Sequence, residues 1–174
     1  TVAVERTEPG MDHYDPMERV VRLGPDNHDG RSLTAMAVAA HEVGHAIQHA
    51  DGYRPLLWRT RLVRSIQVLQ RSGSFLMLAA PVAMVLTRSP AAGLLMVAGG
   101  FLTLGTGVLI HLATLPTEVD ASFRRALPLL EAGYLKEEDR QGARRILTAA
   151  ALTYVAAALG SLLNVWVWLR MLRR

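Results

Sequence analysis

The chain has 174 residues, 51% of them hydrophobic, with 19 Lys and Arg against 15 Asp and Glu; its mean hydropathy is +0.20, which is the size of one domain and apolar for a chain bathed wholly in water. It has no cysteine, which excludes disulfides, thiolate metal sites and cysteine nucleophiles, so any zinc must be held by nitrogen and oxygen. The basic balance comes from arginines that flank apolar runs and are not interleaved with aromatics, which argues against nucleic acid as a partner.

Residues 1–10 are polar, without an initiator Met or an apolar signal core, and are read as the start of a fragment or a processed product. Two alternating stretches, TVAVER and ERVVRLG, are expected to be strands of a small sheet, with the turn-rich GMDHYDP between them. Ser32 offers an N-cap, Ala and Val fill the following positions and Asp51-Gly52 closes the run, so a helix is expected over 33–50. Residues 54–71 repeat Arg with Leu, Trp, Val and Ile at helical spacing, which fits an amphipathic helix at a membrane surface or an ordinary solvated face.

From 72 to 115 the only charge is Arg88. The apolar runs 74–87, which contains Pro81, and 91–115 are read as a membrane helical hairpin turning at Arg88. Residues 116–145 turn polar and arginine-rich. Residues 146–169 form a third charge-free run ending in Trp166, Trp168 and then Arg170, the pattern of a membrane exit. The expected fold is a mostly α, integral-membrane helical protein with a small β element before the 33–50 helix, divided into 1–71 as a zincin-like catalytic part, 72–115 as the hairpin, 116–145 as a polar helical segment and 146–174 as a C-terminal membrane helix.

The sequence His41-Glu42-Val43-Gly44-His45 is an HExxH motif in the middle of the expected helix. Residues four apart share a helical face, so both imidazoles can reach one Zn²⁺, with Glu42 beside its water as general base. A charged triplet stranded in the Ala/Val-rich run AMAVAAHEVGHA has little structural reason to exist otherwise.

A catalytic zinc takes a third protein ligand. His49 continues the row but lies about 6 Å further along the axis, and the HExxHxxGxxH pattern is absent because position 48 is Gln48. Glu118, in LPTEVDAS, is the preferred third ligand, with Asp120 as a partner for a metal-bound histidine. Its alternative is a helix-start carboxylate favoured by the helix dipole. His13, Asp12 and Asp15 fit a turn better than a metal, Glu131, Glu137 and Glu138 fit solvated charges, and His111 is a lone polar group in an apolar run. Arg124-Arg125 suits either a substrate carboxylate or a membrane flank.

Four blocks in order, DHYDP, RSLTAMAVAAHEVGHAIQHADGY, TLPTEVDASFRRAL and AALTYVAAAL, resemble the YugP-like neutral zinc metallopeptidases, bacterial membrane proteins. The resemblance spans nearly the whole chain and implies a membrane-bound zinc peptidase with an anchoring helix upstream of the first strand, absent here, hence an N-terminal truncation. The Glu118 segment is also similar to the third-ligand region of HtpX-type membrane peptidases. That group usually carries aspartate four residues after the glutamate, where this chain has Ser122, and here the aspartate falls at Asp120.

The expected function is hydrolysis of peptide bonds, in a peptide or membrane-protein substrate, with one Zn²⁺ per chain on His41, His45 and Glu118, Glu42 as base and the early strands offering an edge to an extended peptide. The alternative is a non-catalytic zinc-binding membrane adaptor, against which the intact Glu42 speaks. The arginine bias places the active site on the cytoplasmic side of a bacterial plasma membrane, in a multi-pass chain embedded in the lipid bilayer. Oligomeric state, substrate identity and cleavage preference are not encoded in any recognisable pattern.

Overall fold

The computed structural model describes residues 1–66, 82, 85, 86, 88 and 90–172. They fall into two compact units, Thr1–Leu57 with Thr114–Thr153, and Trp58–Ala113 with Tyr154–Arg174.

The first unit opens with β1 (Ala3–Arg6), β2 (His13–Asp15) and β3 (Val20–Leu23) in the order β1-β3-β2. β3 runs parallel to β1, from Ala3 beside Val20 to Arg6 beside Leu23, and antiparallel to β2, with His13 beside Arg22 and Asp15 beside Val20. The sheet therefore has three strands where two were expected. His13-Tyr14-Asp15 is too short to show an alternating pattern and is followed by Pro16, so its strand character comes from pairing with β3 and not from its own composition. The β2–β3 turn is held by Asp15, whose Oδ1 accepts from the backbone N–H groups of Met17 at 2.7 Å and Glu18 at 3.2 Å.

Helix α1 (Pro25–His28) leads into α2 (Leu33–Ala50). Asp12 ties α1 down by accepting from the Gly24 N–H and the Asn27 side-chain amide, both at 2.8 Å. The start of α2 is capped by Ser32 Oγ, which accepts from Ala35 N–H at 3.0 Å. Its end is a Schellman motif: Gly52 N–H donates to His49 O and Tyr53 N–H to Gln48 O, with Gly52 at φ +63° where a side chain would be strained. Both signals were legible in the sequence, and α2 covers the expected residues.

One face of α2 packs Val38, Ala39, Val43 and Ala46 on Tyr14, Val21 and Leu23 of the sheet. The opposite side contributes Leu33, Met36, Ala37 and Ala40 to a second core with Ala126, Leu127, Leu130, Ala143 and Leu147. These last residues come from the later part of the chain. Helix α3 covers residues 54–66, and the remainder of the expected 54–71 helix lies outside the described residues. Helix α4 (Pro90–Val119) contains Pro116 and passes into a π-helical segment (Asp120–Ala126), followed by α5 (Leu127–Glu131), a 3₁₀ turn (Glu137–Asp139) and α6 (Arg140–Leu172). Leu127 N–H reaches back five residues to Ser122 O, the bond that defines the wider turn. Pro128 has no N–H to give to Arg124 O, so a regular α-helix has no complete ladder at this point.

Small residues set the depth of packing between α2 and the π-helical segment. A Cβ on Gly44 would stand 2.7 Å from Ala121 O, and Ala121 itself is fully buried. Only a glycine lets the two backbones meet this closely.

In the second unit, Arg59 donates from Nη2 to the Tyr154 hydroxyl at 2.9 Å and stacks its guanidinium 5.4 Å from that ring's centre, and the His111 ring lies 5.8 Å from it on another side. The integral-membrane reading is corrected here: among the described residues no helix is long and apolar enough to cross a membrane. Its hairpin over 72–115, its C-terminal span over 146–174 and the multi-pass placement thereby lose their support. The runs from which the crossings were read, 91–115 and 146–169, lie in α4 and α6. The expected first crossing, 74–87, lies outside the described residues except at 82, 85 and 86.

Gly44→Ala is expected to destabilise the protein by about 1–3 kcal/mol, because the added methyl meets a main-chain carbonyl that no rotamer change can move. Urea denaturation of parent and variant measures it. An unchanged midpoint would mean that α2 and the π-helical segment are not held at this separation.

Candidate metal centre

Helix α2 and the chain after Pro116 bring six polar side chains together inside the first unit. His41, Glu42, His45 and Gln48 come from α2; Glu118 and Asp120 come from the end of α4 and the start of the π-helical segment. All six are buried, Glu118 to 2% exposure and Gln48 completely. Helical spacing explains the first set. Residues 41, 45 and 48 are four and three apart, on one stripe of α2 that runs beside Gly44.

His41 Nε2 lies 3.1 Å, and His45 Nε2 3.4 Å, from the same oxygen of Glu118, Oε2. The ligating atoms of the three residues all fall within 4.8 Å of one another. Four ligands placed tetrahedrally about 2.0–2.1 Å from a zinc ion stand about 3.3 Å apart, and the two contacts to Glu118 bracket that separation. Two imidazoles and one carboxylate also form a donor set that suits zinc, leaving one position open. The residues present therefore fit the ion.

The other ring nitrogens are engaged as well. His41 Nδ1 is 3.0 Å from Ser122 Oγ. His45 Nδ1 is 2.9 Å from Gln48 Oε1, while Gln48 Nε2 donates to Thr117 O and to Asp120 Oδ2, each at 2.8 Å. Asp120 Oδ2 also accepts from Arg125 Nε at 2.8 Å, and Arg125 Nη1 continues to Asp51 at 2.5 Å. Burial opposes the charged form of His45, yet the hydrogen bond and charge of Glu118, joined by the Glu42 charge and Gln48, prevail and raise its pKa above the ordinary 6.5.

The remaining residues singled out in the sequence lie elsewhere. His49 is not in the cluster: its Nδ1 is hydrogen-bonded with the Tyr14 hydroxyl at 2.8 Å, with the rings edge-on at 5.9 Å. Burial raises the Tyr14 pKa, more than the opposing Arg19 charge lowers it, which keeps that hydroxyl protonated. His13 sits in its turn, bonded from Nδ1 to Met11 O at 2.7 Å. Asp15 pairs with Arg22, as do Glu5 and Glu18. Glu131 and Glu137 pair with Arg140, and Glu138 with Lys136, at the surface. Asp120 does not bond an imidazole directly, because Gln48 stands between it and His45.

Sequence reasoning passed over two residues. Gln48 was noted only as the wrong residue for a longer zinc motif, and Ser122 only as the place where a related group carries aspartate. The signal for Gln48 was present: a polar residue seven after His41, on the metal-facing stripe of an otherwise apolar helix.

Ser122→Ala removes the oxygen against His41 Nδ1 in a fully buried position. The expected loss is about 1–3 kcal/mol of stability, the cost of leaving a buried polar group without its partner. Thermal and urea denaturation of the metal-free protein read it directly, and equal stability would show that water replaces the hydroxyl at no cost.

A family model described as "Putative neutral zinc metallopeptidase" matches residues 1–173. The chain is 38% identical over 154 residues to a Bacillus subtilis protein named "Putative membrane protease YugP", covering 88% of this chain and 65% of that protein, so it spans just under two thirds of this relative's length. No solved structure matches. With its sequence matched almost from end to end, and with two histidines and a glutamate gathered at zinc-ligand spacing, the chain belongs to the neutral zinc metallopeptidase family that this model describes.

Proposed function

We propose that this protein is a zinc-dependent metallopeptidase in which His41, His45 and Glu118 hold one Zn²⁺ and Glu42 is the general base. The observation that carries this reading is the placement of both Nε2 atoms around a single Glu118 oxygen at 3.1 and 3.4 Å. Membership of a zinc metallopeptidase family and likeness to a protein named as a protease support it.

Zinc, when bound, supplies Lewis acidity that polarises a peptide carbonyl and lowers the pKa of water to about 7. Glu42 is buried one residue from His41, and its charge reaches His45. It takes the proton from the attacking water and returns it to the leaving amine nitrogen, so the peptide C–N bond breaks as the new C–O bond forms. An adaptor that kept zinc only for structure would have no use for this carboxylate.

The substrate is an extended peptide segment, and β2 is the strand placed to receive it. Around α2, at about 100° per residue, Glu42 and His49 lie about 20° apart on one flank. Tyr14 of β2 bonds His49 on that flank, whereas β3 lies beyond it over Val43 and Ala46. β2 is an outer strand of the sheet, with β3 on its other side. Its free main-chain groups can pair with a peptide in extended form. Peptides N-methylated at alternate backbone nitrogens should show a raised KM in one register only; equal cleavage of both sets would remove strand pairing from the account.

Glu42→Gln is expected to bind zinc as the parent does and to lose about 10²–10⁴-fold in kcat, since it changes the proton carrier and no ligand. Metal content and cleavage of a quenched peptide are measured on one preparation. His41→Ala, His45→Ala and Glu118→Ala should each lose metal affinity, and a Glu118→Ala protein with parental affinity would exclude Glu118 as the third ligand.

The raised pKa of His45 gives the direction of the pH dependence. Zinc needs the neutral imidazole, so protons compete for His45 in the metal-free protein at and above the ordinary 6.5. Below the raised pKa, affinity falls by about tenfold per pH unit for each proton displaced. Zinc titrations from pH 8 down to 5 test this, and an affinity that holds level until well below 6.5 would contradict it.

A further inference from the structure

The geometry points to Gln48 as the residue that decides which nitrogen of His45 is free for metal, making it a positioning residue of the centre and a part of the site that neither the HExxH motif nor the third-ligand argument contains. This rests on the reading of His41, His45 and Glu118 as the zinc site.

The argument begins with the orientation of one amide. Gln48 is completely buried, so each of its polar atoms must find a partner in the protein. Its side-chain nitrogen lies 2.8 Å from Thr117 O and 2.8 Å from Asp120 Oδ2. A main-chain carbonyl and a carboxylate only accept, so both demand a donor, and the amide cannot be turned round without setting its oxygen against two others. Arg125 Nε, 2.8 Å from the same Asp120 oxygen, donates to it as well, so that oxygen is an acceptor from two donors.

With the nitrogen committed, the Gln48 oxygen faces His45 Nδ1 at 2.9 Å. An amide oxygen cannot donate, so Nδ1 must carry the proton. The neutral ring then has its lone pair on Nε2, the atom that stands 3.4 Å from Glu118 Oε2. His41 is held differently. Its Nδ1 faces the Ser122 hydroxyl, which can donate or accept and so leaves the tautomer open. The two imidazoles are thus not equivalent: one is oriented by contact alone, the other by a donor–acceptor sequence with a single solution.

The same amide joins the two parts of the chain that carry the candidate ligands. Gln48 belongs to α2, three residues from His45, and Thr117 immediately precedes Glu118. Its bond to Thr117 O therefore fixes the main chain beside Glu118 while its oxygen fixes His45. Outer partners of metal-bound histidines commonly change metal affinity by about 10–100-fold when removed.

The test uses zinc affinity by chelator competition and ¹⁵N–¹H NMR of histidine-labelled protein. Gln48→Met keeps the volume and removes every hydrogen bond; Gln48→Glu keeps an oxygen facing Nδ1. We expect the parent to bind one zinc through His45 Nε2 with a solvent-protected Nδ1 proton. Gln48→Met should bind zinc about 10–100-fold more weakly and lose that protection, whereas Gln48→Glu, which sets its second oxygen against Thr117 O and Asp120 Oδ2, should also bind zinc more weakly but keep the Nδ1 proton protected. A parent that binds no zinc would end the zinc-site reading and this inference with it. Zinc bound by the parent but held equally well by Gln48→Met would overturn the inference alone, as would loss of the Nδ1 protection in both the Met and the Glu variants, which marks a packing role. If Gln48→Met does not fold, the parent spectrum decides: zinc on His45 Nδ1, or an unprotected Nδ1 proton, overturns the proposal, and a protected one in both the parent and Gln48→Glu upholds it.

Discussion

The close approach of α2 to the π-helical segment at Gly44 is the constraint on which the site depends. Where a methyl would meet Ala121 O at 2.7 Å, hydrogen allows the helix carrying His41 and His45 to lie directly against the segment that follows Glu118. A wider spacing would withdraw Glu118 from the imidazoles and pull Ser122 and Asp120 away from their partners on α2. The glycine inside the HExxH motif is thus a packing requirement of the site as well as a spacer between its histidines. The apolar cores on either side of α2 hold the helix in that position.

Burying two imidazoles, three carboxylates and an amide within one small volume costs desolvation energy, which local partners offset. The bonds are distributed so that a single amide has three partners, His45, Thr117 O and Asp120, while the Arg125 guanidinium pairs with Asp120. The route ends at the surface in Asp51, whose side chain is 59% exposed. Asp51 is also the C-cap residue of α2, so the network fastens the end of the histidine-bearing helix to the π-helical segment. Hydrogen bonds of this kind hold a site's side chains in place, which suits ligands that must be positioned before metal arrives.

Two expectations failed. β2 was missed because three residues ending before a proline carry no period, and their extended form is imposed by β3. The membrane crossings were read from uncharged apolar runs over 72–115 and 146–169, and among the described residues no helix is long and apolar enough to cross a membrane.

By itself the sequence determined what local rules control: α2 with its Ser32 cap and Gly52 terminus, β1 and β3, and the His41, Glu42 and His45 triplet on one side of a helix. These follow from spacing along a chain whose periodicities are fixed by backbone geometry. Tertiary structure decided what depends on distance through space. Glu118 lies 77 residues from His41, and its acid-bearing segment could be singled out by chemistry and order but not set at 3.1 Å by any pattern in the chain. Ser122 and Gln48 acquired their places only once the two backbones met, because a hydroxyl or an amide has no assigned partner until another segment presents one. The π-helical turn that aims Ser122 and Asp120 at α2 has a local cause in Pro128, but its wider ladder leaves no periodic mark in seven residues of mixed composition, so which side chains it turns towards α2 is read only in three dimensions.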